Sequence, residues 1–311
     1  MTAEFDPRSA RAQVAIAGAK GVTAEVLSTQ PRKDVIRNTI FASLLFLAIA
    51  IALAGLCVLV GKNLVDGWSR LNLDLITQNN SSNPAEAGLR NAIIGTLWIM
   101  LFVIGMLVPL GVGAAVFLEE YGNRNSRLIR LIEVNIQNLA GVPSIIYGLL
   151  GLAFIARAPL NLGYVVLTAA MTLTLLVLPV VILASREAIR AVPASIREGS
   201  LALGATKWQT IRRQVLPASI PGIATGVILA ISRAIGETAP LIPLGAATFV
   251  TFTPGPFTDF TAMPVTIFNW VKQPQPEFQA LAAAGVLLLI ALLVVMNSFA
   301  IWLRNRYEQT W

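Results

Sequence analysis

The sequence predicts an all-α, polytopic integral membrane protein with six transmembrane helices, on the strength of three observations. Only 13% of its residues are charged and 56% are hydrophobic, whereas soluble domains carry about 25% charged residues. Six stretches reach the roughly 20 apolar residues needed to cross about 30 Å of hydrocarbon. Basic residues are concentrated in alternate loops, as in chains whose loops face opposite sides of a bilayer.

The first span is expected near Thr39 to Val60, after a 38-residue tail that mixes both charge signs with Ala, Ser and Thr and reads as a mobile cytoplasmic segment. No cleavable signal peptide is expected, because this apolar stretch is long and begins late, so residues 39–60 read as an anchor helix. Cys57 is the single cysteine, which excludes an intrachain disulfide. Leu53-Ala54-Gly55-Leu56-Cys57 has one residue too many for a lipoprotein acylation box, and Cys57 reads as apolar packing.

The second span runs near Ala92 to Leu118 and contains Pro109. The third, near Ile136 to Ala156, opens with Asn135, Gln137 and Asn138, followed by Ser144 and Tyr147; these either line a polar path or bond between helices. The fourth, near Leu162 to Ala184, holds Pro179, and its Thr172 and Thr174 are expected to bond their own helix backbone. The fifth and sixth lie near Ile220 to Ala239 and Ala280 to Leu303. Pro109, Pro179, Pro240 and Pro243 allow kinks. Two long loops, Gly61 to Asn91 and Thr251 to Gln279 with five prolines, read either as connectors or as a docking surface for a soluble protein.

Orientation follows from the basic residues. Seventeen fall in the amino-terminal tail, the loops after the second and fourth spans, and the carboxyl tail, against five (Lys62, Arg70, Arg90, Arg157, Lys272) in the opposite loops. Both termini are therefore expected in the cytoplasm. The net charge of +7 reads as a topogenic signal and an attraction to anionic lipid rather than to nucleic acid.

Absences bound the chemistry. The chain has no histidine, which removes the commonest metal ligand and general base. The nearest approach to a phosphate-cradling loop, Gly55 to Gly61-Lys62-Asn63, has the wrong glycine spacing and lacks the Ser or Thr that binds magnesium. Hydrolysis that drives transport would have to occur on another polypeptide, and this chain reads as a non-catalytic conduit with no cofactor or metal of its own.

The polar segment between the fourth and fifth spans is the most informative. Leu201, Ala205, Trp208, Ile211 and Val215 recur at helical spacing, while Glu198, Lys207, Arg212 and Arg213 fall elsewhere, which predicts one apolar face. Gly204 suits the end of a first short helix with Pro193 in its first turn. Thr206 and Gln209 have capping-box spacing for a second. The segment resembles the cytoplasmic signature loop of ABC-importer permeases, in which Glu198, Gly204, Leu216 and Pro217 stand at the family spacing. Gly199 and Ser200 replace the family's alanines and Gln214 its isoleucine. The resemblance implies that Glu198, Gly204, Thr206, Trp208, Leu216 and Pro217, within a coupling loop 186–217, engage a separate ATPase. The alternative is an amphipathic helix on the lipid surface.

The fifth span carries Arg233-Ala-Ile-Gly-Glu237-Thr-Ala-Pro-Leu241. About 12 residues beyond Pro221 at 1.5 Å per residue, Arg233 is expected near mid-membrane, where an Arg costs at least about 2.5 kcal/mol and requires a partner or a wet cavity. Glu237, one turn on, is the expected partner. The pair either pins the helix or lets Arg233 offer its planar fork of donors to a passing oxyanion. This stretch, with Gly204-Ala205-Thr206-Lys207-Trp208, resembles the phosphate-specific ABC permeases, the PstA type more than its PstC sister. The resemblance covers a permease domain at 92–303 and implies a type I importer fold in a bacterial inner membrane. The partners it implies are a PstC-like second permease, two PstB-like ATPases carrying ATP and magnesium, and a PstS-like extracytoplasmic phosphate-binding protein. Sulfate or molybdate as cargo, a stand-alone secondary transporter and a non-transporting scaffold are the competing readings.

Overall fold

The computed structural model describes residues 32–123, 126–246 and 252–307. Residues 1–31 of the expected tail lie outside the described residues, as do Arg124 and Thr251 of the expected loops. The chain divides into two compact units, Met1–Gly61 and Lys62–Trp311.

In its described part the first unit is the greater share of one helix, α1 (Arg32–Gly67). The helix starts before the expected boundary at residue 39, because no Gly or Pro interrupts Arg32 to Asn38 and propensity carries it past the hydrocarbon edge. Its apolar side chains, among them Phe46 and Val58, are exposed on every side, as in a helix whose solvent is lipid. Cys57 is exposed as well, so the expected packing around it is not made among the described residues.

The second unit is helical. It contains α2 (Leu73–Thr77), α3 (Arg90–Val116), α4 (Arg127–Ala140), α5 (Ser144–Leu150), α6 (Val166–Arg190) and α7 (Ala194–Ala202), then α8 (Lys207–Thr210), α9 (Leu216–Gly236), α10 (Met263–Val271) and α11 (Pro276–Tyr307). Three of these are extended by a wider π turn: α3 through Tyr121, α5 through Ala156, and α8 through Val215. Helix α6 is central and packs against α3 and α9. Val103 and Leu107 of α3, Leu173 and Val177 of α6 and Ala230 of α9 are buried in one apolar cluster. Helices α3 and α6 run unbroken through Pro109 and Pro179. Thr172 and Thr174 donate to the Thr168 and Ala170 carbonyls, as expected.

The third expected span is corrected. Among the described residues five helices are long and apolar enough to cross a membrane, and the expected third span is instead a bent pair, α4 and α5 with its π turn, which meet at 107° as in a broken span or a re-entrant loop. The break is Gly141-Val142-Pro143. Proline lacks an N–H and disfavours helical geometry at the preceding residue, and here, directly after Gly141-Val142, the helix ends. The Tyr147 hydroxyl donates to the Leu139 carbonyl across the corner (2.9 Å), a carbonyl that also accepts from Val142 N–H at 3.2 Å, and so ties α5 to the end of α4. Beyond it, Gly148 lies against the Pro240 backbone so closely that a Cβ would collide.

The long loops are also more than connectors. Leu75, Ala87 and Leu89 of one and Phe260, Met263 and Trp270 of the other are buried. The Trp270 indole donates to Asn80 Oδ1 at 2.9 Å, joining the two.

Candidate functional site

The polar loop folds as helix, bend and helix. Helix α7 ends in a Schellman arrangement: Gly204 N–H bonds to the Leu201 carbonyl (2.9 Å) and Ala205 N–H to the Ser200 carbonyl (3.2 Å). Gly204 itself sits at φ +84, a left-handed backbone that costs other L-residues about 1 to 2 kcal/mol. Thr206 and Gln209 then form the reciprocal capping box, at 3.3 Å and 2.8 Å. Ser200 and Thr210 hydroxyls, 2.9 Å apart, tie the two helices together.

The apolar residues of the loop do not share one face. Ile211 and Val215 are buried against Ile189 and Ala115, whereas Leu201, Leu203 and Trp208 are exposed, Leu203 by 91%. The turn at Gly204 is the reason, because a periodicity read across it assumes a single helix. Glu198 is exposed on α7, and Leu216 and Pro217 are half-buried at the start of α9.

The second helix of the loop is not a separate short element either. From Lys207 to Gly236 the chain is one helical run of 30 residues, joined by the π turn at Ile211–Val215. Pro217 has no N–H to offer the Arg213 carbonyl, and Leu216 N–H reaches back to the Ile211 carbonyl in the π turn before it.

Arg233 stands in the last turn of this run. Its Nε lies 3.1 Å from Glu237 Oε1, with the two side chains 41% and 17% exposed. The helix stops at Gly236 and not at the expected Ala239: Glu237 is its C-cap with extended ψ 115, and turns through Pro240 to Gly245 follow. A guanidinium in a last turn also meets the negative end of the helix dipole. Ala234, Ile235, Leu241 and Leu244 around it are buried, while Thr225, Leu229 and Arg233 form an exposed stripe on α9. Asn135, on α4, bonds its own helix through the Leu131 carbonyl, and Gln137 and Asn138 are exposed.

Sequence reasoning missed a charged network at the loop end of the bundle. Arg186 of α6 is buried, 2.7 Å from Glu133 of α4 and 3.5 Å from Glu119 in the π turn of α3. Arg190 reaches Glu119 at 2.9 Å. Arg197 of α7 reaches Glu120 at 2.9 Å and also donates to the Ile189 and Val192 carbonyls at the end of α6. In the sequence these arginines read as topogenic charge within the loop 186–217; the available signal is the pair Glu119-Glu120 directly after an apolar run. The network ties α7 to the π turn of α3 and to the end of α6.

A protein family described as a binding-protein-dependent transport system inner membrane component matches residues 107–309. The chain is 34% identical to the phosphate transport system permease protein PstA of Yersinia pestis over 284 residues, 89% of this chain and 94% of that protein. It is 33% identical to a probable ABC transporter permease, YqgI, of Bacillus subtilis, over 83% of this chain and 91% of that protein. Two ABC transporters of known structure have a similar fold. An inward-facing MetNI methionine transporter matches with TM-score 0.56 and 17% identity over 71% of this chain and 96% of that chain. A bacterial importer of the acidic polysaccharide alginate matches with TM-score 0.56 and 12% identity over 88% and 99%. With several helices suited to crossing a bilayer, a bent polar loop between two of them and a family match over most of its length, the chain belongs to the binding-protein-dependent transport system inner membrane components.

Proposed function

We propose that this chain is a non-catalytic translocation subunit of an ATP-driven importer of inorganic phosphate, with both termini in the cytoplasm. The near full-length likeness to PstA proteins supports the cargo. The observation that carries the mechanism is the continuous helical run from Lys207 to Gly236, which bears Trp208 near one end and Arg233 near the other. At 1.5 Å per residue these two residues are roughly 37 Å apart on one rod.

ATP and magnesium act on a partner ATPase, a PstB-like pair that grips the exposed Leu203 and Trp208 around the Gly204 bend. A PstC-like second permease covers the Thr225, Leu229 and Arg233 stripe and completes the path, and a PstS-like binding protein delivers phosphate at the face formed by the two packed loops. Closure of the ATPase pair moves α7 and α8. The π turn at Ile211–Val215 is the compliant point, and the rest of the rod carries the displacement to Arg233. There the guanidinium presents paired donors to phosphate, while Glu237 holds it oriented and balances its charge when the path is empty. The ATPase must bind the two permease states with different affinity for this to work.

The test is ATP-dependent uptake of labelled phosphate into proteoliposomes holding the assembled complex, comparing wild type with Arg233→Gln at equal assembly. Loss of uptake with ATPase docking intact supports the reading. Unchanged uptake makes Arg233 structural and removes the proposed path, and competition by sulfate or molybdate as effective as by phosphate would transfer the cargo to another oxyanion.

A further inference from the structure

Between α3, α9 and α11 lies a cleft of about 560 Å³ walled by hydrocarbon side chains, among them Ile104, Val108, Ala224, Ile228, Met296 and Ala300. An apolar cleft is unremarkable in a membrane helix bundle by itself. This one is bounded by Arg304, which makes no ion pair among the described residues. Its donors reach only neutral oxygens, Thr225 Oγ1 at 3.2 Å and Asn305 Oδ1 at 3.2 and 3.1 Å. Two residues on, the Arg306 guanidinium sits 5.7 Å over the Trp302 ring, so a second cation stands at the same end of α11. Asn297 also lines the cleft; its Oδ1 accepts from Ser232 at 2.8 Å, two helical turns from Arg304.

We propose that this cleft binds an anionic phospholipid, one acyl chain lying between α9 and α11 and the headgroup phosphate on Arg304. A lipid meets both halves of the site at once. Its chain fills a space whose walls offer almost no polar partner, and its phosphate supplies an anion for a guanidinium that has none among the described residues. A protein helix seated there would have to bring a carboxylate opposite Arg304 as well as an apolar ridge. Because α9 also carries Arg233, an occupied cleft braces the helix that the translocation reading requires to move, although the lipid site itself does not depend on the cargo.

The experiment is native mass spectrometry of the full-length chain, released from detergent with its assembled subunits and titrated with phosphatidylglycerol or phosphatidylcholine of identical chains. Wild type is expected to retain phosphatidylglycerol about fivefold better, the scale of one arginine near a charged headgroup. Arg304→Gln should bring the ratio near unity and Arg304→Lys should keep most of it. Ala224→Phe, which fills the cleft, should release both lipids. An unchanged ratio in Arg304→Gln, or lipid retention unaffected by Ala224→Phe, overturns the proposal. As a check independent of these variants, a photo-crosslinking residue at Ile228 should capture lipid in cells; capture of a polypeptide segment instead shows that protein fills the cleft and overturns it too.

Discussion

Arg197 Nη2 lies 2.9 Å from Glu120 Oε1, with the side chains 23% and 10% exposed, and the same guanidinium caps two carbonyls at the end of α6. One side chain of the polar loop thus holds the ends of two helices of the bundle. Displacing α7 without moving α3 and α6 would take the guanidinium from a largely buried carboxylate and from the Ile189 and Val192 carbonyls, which is costly.

The first prediction concerns this link. In a double-mutant cycle, Arg197→Met and Glu120→Gln should couple by about 1 to 2 kcal/mol, since the pair is more buried than a surface bridge but not fully desolvated. Thermal unfolding of the purified protein would measure it. Additive effects would mean that α7 is not tied to α3 through this contact.

Removing Arg186 should be more damaging. It is 6% exposed and stands between Glu119 and Glu133, so Arg186→Met leaves facing carboxylates without their shared cation and should cost about 3 to 5 kcal/mol. Glu133→Gln alone should cost less, because Arg186 keeps Glu119. Equal losses in a stability assay would contradict this ranking.

Gly204→Val should insert and assemble normally yet transport poorly. A Cβ there meets open space, so the whole penalty is the positive φ of the backbone, and Gly204→Asn should be tolerated better, since Asn visits that region at lower cost. Uptake at matched membrane levels reads both variants, and normal uptake in Gly204→Val would remove the bend from the coupling argument.

At the corner of the bent span, Tyr147→Phe should lower stability by about 0.5 to 1.5 kcal/mol through loss of its bond to the Leu139 carbonyl. Gly148→Val should do more, because its side chain would meet the Pro240 backbone and push the turn that follows Glu237. Measured Tm values in that order, with uptake lost first in Gly148→Val, would bear this out.

Much of the local structure was legible because it depends on neighbours in sequence. The Gly204 turn, the Thr206–Gln209 box and the Arg233–Glu237 pair each involve residues no more than four or five apart, where spacing alone sets geometry. The bend at Gly141-Val142-Pro143 had a local signal too, but an apolar run of spanning length outweighed it. The continuity of α8 with α9 was obscured by Pro217, which reads as a stop signal yet is accommodated by a π turn.

The sequence by itself determined that the chain is a helical membrane protein, where most of its long apolar helices lie, and that a bent polar loop separates two of them. Those properties follow from apolar length, charge placement and short-range hydrogen bonding. Only the tertiary structure decided that Glu119, Glu120 and Glu133 meet Arg186, Arg190 and Arg197, residues 53 to 77 positions apart. It alone also showed that Arg304 closes an apolar cleft whose walls come from three separate helices. Side chains so distant in sequence become neighbours through the way α3, α6, α9 and α11 pack, and no periodicity along a single helix encodes which face of one meets which face of another.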